Sequence, residues 1–157
     1  MAQGPVIIGF DGSPGAEHAL REAATLLSVR EAVVVTVWEA GAAYLTLDSP
    51  GLQPAPMDLG AAAMADQAMF EGVRRTAQRG ADLARELGFA AEEGLTASGE
   101  ESVAATLVRL ARERDASAIV VGSHGYSRLE KLFLGSTSRH VLENAGCAVL
   151  AVRPPGD

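Results

Sequence analysis

Two glycine-bearing segments in the last third of the chain carry residues suited to holding an anion. The first is Gly122, Ser123, His124 and Gly125, and after nine intervening residues the second is Gly135, Ser136, Thr137 and Ser138. A helical pattern follows the second segment, and a helix N-terminus offers unpaired N–H groups at the positive end of its dipole. Glycine lets the backbone approach an anion, and hydroxyls add donors. Together the segments predict a phosphate site.

A third segment adds a carboxylate. Residues 6–10 form a short apolar run, which predicts a strand buried on both faces, and Asp11 follows it directly. Ser13 before Pro14 predicts a helix N-cap with proline at the first helical position. Asp11 could bind ribose, adenine or a Mg²⁺-linked group, or it could only cap the turn before this helix.

The remaining elements alternate in a way that would bring these segments together. Strands are predicted at residues 32–38, 89–97, 118–121 and 147–152, and helices after residues 13, 60, 98 and 135. This order predicts an α/β fold with a single open five-stranded parallel sheet and helices on both faces. Ligands bind such sheets outside the carboxyl ends of the strands, where Asp11 and Gly122 are predicted to lie.

Some boundaries follow from individual residues. Gly88 is predicted as the C′ residue that ends the long third-quarter helix, and Ser98 with Glu101 fits a capping box that opens the next one. Residues 41–60 are rich in proline and glycine and predict an irregular excursion near the ligand edge. A cover over the ligand and a tolerated insertion remain equally open for it.

Composition narrows the class of protein. The 157 residues suit one domain over 1–157, and a net charge of −7 with 4% aromatic residues argues against partners such as nucleic acid or an anionic membrane. Cys147 is the single cysteine, and the first five residues lack a basic signal-type region. We therefore expect a cytoplasmic protein.

Common phosphate and metal motifs are missing from the sequence. It has no G-x-x-x-x-G-K-[ST], and Gly9, Gly12 and Gly15 are spaced G-x-x-G-x-x-G, which does not match the dinucleotide pattern. HExxH and CxxC are also missing. What remains is G-x-x-G, nine residues, then G-S.

That remaining pattern resembles the nucleotide-binding signature of the universal stress protein family. Asp11 after the first strand, Val37 near the end of the second, and the closing run at 147–154 also resemble the family, apart from Ala148 where proline is common. The resemblance covers the chain except the excursion at 41–60. It implies a Rossmann-like, adenine nucleotide alpha hydrolase-like fold, ATP as cofactor with or without Mg²⁺, and a homodimer formed through the last strand.

The resemblance to the ATP-binding branch also implies which residues surround an adenine nucleotide. Its implied site residues are Gly9, Phe10, Asp11 and Val37 at the adenosine, Val121, Gly122, Ser123, His124 and Gly125 along the ribose–phosphate side, and Gly135, Ser136, Thr137 and Ser138 at the phosphates. Glycines 122 and 125 can adopt a positive φ in a crowded turn. One glycine alone favours a simple turn, and Ser136 alone also fits an N-cap, whereas the set favours a site.

Whether the protein is an enzyme stays open at this stage. A nucleotide-binding stress regulator is favoured, because no base, Walker lysine or metal cage is evident in the sequence. A slow ATPase or an autokinase acting on Ser136 or Ser138, an AMP or cyclic-nucleotide binder, and a nucleotide-free interaction module are the alternatives. Arg128, Lys131 and Arg139 are hypothesised to neutralise phosphates, against a solvated loop in which Glu130 is their partner.

Overall fold

The computed structural model describes residues 4–28, 31–38, 59–92, 94–98, 101–123 and 134–154. Its strands are β1 (Val6–Gly9), β2 (Glu31–Trp38), β3 (Ala90–Ala91), β4 (Leu95–Ser98), β5 (Ala118–Gly122) and β6 (Ala148–Val152). Its helices are α1 (Pro14–Leu26), α2 (Leu59–Glu86), α3 (Val103–Glu113) and α4 (Ser136–Asn144).

The strands form one open parallel sheet. Strand β1 lies between β2 and β5, with Ile7 opposite Val33 on one side and Ile119 on the other. Strand β6 flanks β5, while β3 and β4 both flank β2. From β1 the chain first adds strands on the β2 side of the sheet, and then adds β5 and β6 on the opposite side. The order reverses at β1 and β5, where open α/β sheets open a ligand crevice.

The predicted fold class is confirmed, with one correction at the edge beside β2. A single strand was predicted over 89–97, but the chain pairs with β2 in two short pieces, β3 and β4. Between them, a Cβ on Gly94 would collide with the backbone of Ala77 on α2. Glycine at this position lets the chain between β3 and β4 pass close to α2. Because β3 and β4 both lie beside β2, the sheet still has five strand positions.

Helices cover both faces of the sheet, as predicted. Helices α1 and α2 pack on one face with Val6, Ile8 and Phe10, and α3 and α4 pack on the other with Ile7. Successive residues of a strand point to opposite faces. A strand covered on both sides must therefore be apolar at every position, which is why β1 reads as a continuous hydrophobic run.

Two predicted helix ends are confirmed. Ser13 is the N-cap of α1, and its hydroxyl accepts a hydrogen bond from the N–H of Ala16 at 3.2 Å. At the end of α2, Gly88 has φ +92 and donates to the carbonyl of Arg85, while Phe89 donates to that of Ala84. This pair of bonds is a Schellman motif, with glycine in the left-handed conformation at C′.

The capping box predicted at Ser98 and Glu101 is wrong. Ser98 belongs to β4, where it pairs with Trp38 of β2. The N-cap of α3 is Ser102, whose hydroxyl accepts from the N–H of Ala105 at 3.2 Å. Glu101 lies 3.3 Å from the Nε of Arg109 instead. Pairing with β2 extends the strand and delays the helix by four residues.

The predicted excursion at 41–60 overlaps the start of α2, which begins at Leu59. The rest of that segment lies outside the described residues. Among the helices that the structure describes, none combines the length and the apolar character that crossing a bilayer requires.

Candidate functional site

A cleft of about 190 Å³ lies at the carboxyl edge of the sheet, at the point where the strand order reverses. Strands β1, β2 and β5 form its floor, and residues of α1, α3 and α4 complete its walls. The lining residues are Gly9, Phe10, Asp11, Ser13, Ala16, Val35, Val37, Val103, Leu107, Val121, Gly122 and Thr137.

Most of the cleft wall is aliphatic. Val35, Val37 and Val121 come from the strands, and Val103 and Leu107 come from α3. Gly9 keeps the slot between them open, since a Cβ there would lie 3.0 Å from Leu107 Cδ1 and 3.3 Å from Val121 Cγ1. Apolar walls with a few polar groups at one end are typical of small-molecule sites.

The loop between β1 and α1 supplies the polar end. The N–H of Phe10 donates to the carbonyl of Val35 at 2.9 Å, and the Thr36 hydroxyl donates to the carbonyl of Phe10 at 2.7 Å. One carboxylate oxygen of Asp11 accepts the N–H of Ser13 at 2.9 Å, which is an Asx-type turn. Asp11 is exposed and borders the cleft, so its carboxylate is accessible from it.

Gly12 occupies the tip of this loop in the left-handed region, with φ +78. Its carbonyl accepts a hydrogen bond from Nη2 of Arg79 on α2 at 3.0 Å. A Cβ on Gly12 would lie 2.8 Å from that same nitrogen. Both the backbone conformation and this contact therefore favour glycine.

Helix α4 begins on the other side of the cleft. Its N-cap is Gly135, which supplies no side-chain cap, and Thr137 in its first turn lines the cleft. The N–H of Gly135 itself is used, because it donates to the carbonyl of Ser123 at 2.8 Å. The N–H groups of the following turn, with the helix dipole behind them, point out of the helix start beside the cleft.

Ser123 and Ser138 are buried behind the cleft and fix the start of α4. Each is 1% exposed. The Ser138 hydroxyl is 3.2 Å from the Ser123 carbonyl and 3.0 Å from the Gly135 carbonyl, and donates toward both. The N–H of Ser123 donates to the Val152 carbonyl at 2.7 Å. These bonds tie α4 to the ends of β5 and β6.

Gly122 does not use the positive φ that glycine would allow at this position. Among the described glycines, only Gly12 and Gly88 have positive φ, and Gly122 ends β5 in strand geometry. The reason for glycine is space: a Cβ would lie 3.2 Å from both the carbonyl carbon and oxygen of Gly15. The end of β5 thus passes directly against the start of α1.

The structure brings together most of the residues that were predicted as a site. Seven of the described candidates line the cleft, namely Gly9, Phe10, Asp11, Val37, Val121, Gly122 and Thr137. Gly135 and Ser136 stand at the start of α4 beside it, while Ser123 and Ser138 are buried and bonded to backbone. His124, Gly125, Arg128, Lys131 and Glu130 lie outside the described residues, and Arg139 is exposed on α4.

Sequence reasoning missed five lining residues: Ser13, Ala16, Val35, Val103 and Leu107. Ser13 and Ala16 were recognised only as helix residues. Val103 and Leu107 lie one turn apart on α3 and form part of an ordinary apolar stripe, so their pattern is the same as that of core residues. Alternation along β2 could have linked Val35 to Val37, since residues two apart share a face.

Within the described ranges, no group of three or more His, Cys, Asp and Glu residues is arranged to hold a metal ion. The chemistry that the described residues offer is recognition, by an apolar slot bordered by a carboxylate and by a helix N-terminus. A flat, largely apolar ring with an attached anionic group matches these features.

Comparison with known proteins defines the class. The family model described as the universal stress protein family matches residues 4–153. Universal stress protein YxiE of Bacillus subtilis is 30% identical over 162 residues, covering 94% of the chain and 97% of that protein. The chain belongs to the universal stress protein family. A shorter match, 41% identical over 49 residues, covers 31% of the chain and 29% of universal stress protein MJ0531 of Methanocaldococcus jannaschii.

Solved structures agree on the fold. Hypothetical protein MJ0577 superposes with a TM-score of 0.77 at 17% identity, covering all of both chains. The universal stress protein from Archaeoglobus fulgidus in complex with dAMP gives 0.61 at 24%, covering 96% of this chain and 98% of the other. A universal stress protein in complex with cAMP gives 0.64 at 23%, covering 99% and 100%.

Proposed function

We propose that this protein is an ATP-binding universal stress protein that acts as a nucleotide-dependent regulator of a stress response. The observation that carries the proposal is the continuity of an apolar slot with a helix N-terminus that no side chain caps. The slot suits a purine ring, and the helix start suits phosphate.

Each part of the nucleotide has a matching part of the cleft. The adenine ring lies against Gly9, Val37 and Leu107, where burial of its apolar faces provides most of the affinity. The ribose hydroxyls bind the exposed carboxylate of Asp11. The phosphates bind the first turn of α4 at Ser136 and Thr137, with Mg²⁺ bound or absent.

The neighbours support an adenine nucleotide as the ligand class. Two of the solved relatives are complexes with dAMP and with cAMP, which share the adenine ring, a pentose (2′-deoxyribose in dAMP) and a single phosphate. ATP in place of a monophosphate is therefore the finer part of the proposal. It follows from the family's ATP-binding signature in residues 122–137 and from the open start of α4.

Titration calorimetry with ATP, AMP and cAMP tests the ligand. We expect ATP to bind tightest, and about tenfold or more above AMP, because additional phosphates engage the helix start. Gly9→Val should weaken all three ligands alike by filling the slot, while Gly146→Ala, at a position with open space around it, should change none. Absence of binding by all three nucleotides to the wild type would overturn the proposed function.

One observation counts against Ser138, though not against the exposed Ser136, as the phosphate acceptor in the autokinase alternative. Ser138, one of the two hydroxyls considered as phosphate acceptors, is 1% exposed and donates to backbone carbonyls. A buried hydroxyl with satisfied hydrogen bonds is a poor nucleophile for a bound nucleotide. Phosphate incorporation into the purified protein tests the autokinase, and multiple-turnover ADP release tests the ATPase. We expect neither above background, and a signal that Gly135→Asp abolishes would favour the enzyme.

The proposal includes a homodimer formed through β6. This strand is the edge of the described sheet, its residues are apolar, and Leu142 nearby on α4 is 44% exposed. An apolar edge strand is stable in solution when it is paired or covered. Sedimentation should give a dimer for the wild type and a monomer for Ala148→Lys, which adds charge at an exposed position of that edge. A wild-type monomer would refute it.

The proposed location is the cytoplasm, where ATP is abundant and a single unpaired cysteine stays reduced. Fractionation of cells that express the tagged full chain tests it. Recovery of the protein with membranes or outside the cell would contradict this part of the proposal.

A further inference from the structure

Arg79 connects the long helix α2 to the loop that borders the cleft. Helix α2 packs on the sheet face opposite α3, yet the Arg79 side chain reaches Gly12 and donates from Nη2 to its carbonyl at 3.0 Å. The same nitrogen lies 3.6 Å from a carboxylate oxygen of Glu17, and the guanidinium stands 5.9 Å from the centre of the Phe10 ring.

The peptide group between Gly12 and Ser13 is held from both sides. Its carbonyl accepts from Arg79, and its N–H donates to the Asp11 carboxylate at 2.9 Å. In a planar trans peptide the C=O and N–H point in opposite directions, so these two bonds fix one rotation of the same group. A bond to a cation at the carbonyl also polarises the N–H, which strengthens its bond to Asp11.

We infer that Arg79 is a positioning residue that orients the Asp11 carboxylate through the Gly12–Ser13 peptide. Arg79 touches the loop from outside the cleft, and its effect reaches the cleft by one peptide group. The consequence for ligand binding rests on the proposed function, in which Asp11 contacts the nucleotide, whereas the orientation of the peptide does not.

The sequence around the contact fits this role. Gly12 has φ +78, and a Cβ there would lie 2.8 Å from Arg79 Nη2, so glycine lets the guanidinium reach the carbonyl. The Phe10 ring provides a face for the flat cation. Arginine, with several donors in one plane, can serve the Gly12 carbonyl and the Glu17 carboxylate together, which lysine does less well.

The first experiment needs no ligand. NMR of the ligand-free protein measures exchange of the Ser13 amide with water in the wild type, in Arg79→Met and in Arg75→Met. Arg75 is exposed one turn earlier on α2, so its substitution removes the same charge and serves as a matched control. We expect Arg79→Met to speed Ser13 exchange by about three- to tenfold, the scale of one exposed charge-assisted hydrogen bond, and Arg75→Met to leave it unchanged.

Global destabilisation is separated from positioning by the amide of the buried Ala81 within α2, which should exchange at the wild-type rate in Arg79→Met. Acceleration confined to Ser13 supports the inference. An unchanged Ser13 rate, or equal acceleration at both amides, overturns it.

The second experiment is a double-mutant cycle on ATP affinity with Arg79→Met and Asp11→Asn. If Arg79 acts through Asp11, Arg79→Met weakens binding about three- to tenfold in the wild type and has little further effect in Asp11→Asn. Additive effects would overturn the role of Asp11 as the intermediary.

The two experiments distinguish the possible failures. If the wild type binds no adenine nucleotide, the proposed function fails, and the Ser13 exchange rates still decide whether Arg79 orients the peptide. If ATP binds but Ser13 exchange is insensitive to Arg79, the positioning role fails and the proposed function stands.

Discussion

Helices α1 and α4 both begin at the carboxyl edge of the sheet beside the cleft, but their first turns are satisfied differently. At α1 the Ser13 hydroxyl accepts from Ala16, and Pro14 has no N–H to satisfy. At α4 the N-cap is Gly135, with no side-chain cap. Both positions have extended backbone, with φ −71 and −60, so a capping side chain could be present at either.

The two helix starts therefore differ in how their first-turn N–H groups are satisfied. The start of α1 is satisfied from within the protein and serves to hold the loop that carries Asp11. The start of α4 has no side-chain cap and lies beside the cleft, where under the proposed function its N–H groups bind a ligand's phosphate. Under the proposed function, phosphate binding depends on the absence of a side-chain cap at α4.

Forcing the end of β5 away from the start of α1 should have the largest effect on stability. Gly122→Val places a branched side chain 3.2 Å from the Gly15 backbone, at the point where β5 meets α1. Because backbone atoms cannot move aside as a flexible side chain would, we expect the free energy of unfolding to fall by about 2–3 kcal/mol. Urea denaturation measures it, with Gly146→Ala as control. A loss below that of the control would show that the two elements are not closely packed.

Strain introduced only in the loop before α1 should reduce the free energy of unfolding by less than Gly122→Val does. Gly12→Ala forces a Cβ into the left-handed region and against Arg79 Nη2, which can move at the cost of its hydrogen bond. We expect a loss of about 1–2 kcal/mol in unfolding free energy and weaker ATP binding. Denaturation and calorimetry on the same samples check both. Unchanged stability would contradict the loop geometry at Gly12.

Removing the cap of α1 and adding one to α4 tests directly whether the two helix starts differ as described. Ser13→Ala removes the α1 cap and should lower stability by about 1 kcal/mol. Gly135→Asn adds a cap at α4 and should raise stability by a few tenths of a kcal/mol, since glycine is already a tolerated N-cap. Thermal denaturation of both variants measures the two signs. Destabilisation by Gly135→Asn would mean that the α4 start does not have the capping geometry described.

The smallest effect is expected at Glu17, whose carboxylate lies 3.6 Å from Arg79. Both side chains are largely exposed, at 41% and 58%, so water and salt screen their attraction. We expect Glu17→Gln to change the unfolding free energy by less than about 0.5 kcal/mol. A larger loss that disappears in high salt would show that the ion pair, and not the Gly12 carbonyl, is the main partner of Arg79.

Sequence patterns predicted the sheet well because strands that are buried on both faces appear in the sequence as continuous apolar runs. The apolar runs at Val6 and Ala118 are confirmed as the adjacent strands β1 and β5. Ser13 and Gly88 are confirmed as helix ends, since each depends on local chemistry within a few residues.

Predictions that depended on distant partners were less reliable. Ser98 has the right spacing to Glu101 for a capping box, but its pairing with Trp38, sixty residues earlier in the chain, determines its conformation. Gly122 was assigned a turn role, although its neighbour Gly15 lies on another element. Contacts between elements distant in sequence leave no local pattern to read.

The candidate site was predictable where a motif marked it and not elsewhere. The glycine pattern indicated Gly122 and Thr137, whereas Leu107 lines the cleft from a helix face that reads as core. Ser138 also lies inside the motif, but its side chain is buried and donates to backbone carbonyls. Spacing alone does not distinguish a side chain that faces a ligand from one that supports the loop.

The most direct test of the account is ATP calorimetry on the wild type, Gly135→Asp and Gly135→Asn, with the unfolding free energy of each measured alongside. An aspartate at this N-cap should accept the free N–H groups and stabilise the helix by about 0.5 kcal/mol, because a carboxylate suits the positive dipole end. The same carboxylate should repel phosphate, so we predict at least about a tenfold loss of ATP affinity, with asparagine between the two. Equal ATP affinity in all three proteins would contradict a phosphate site at the start of α4.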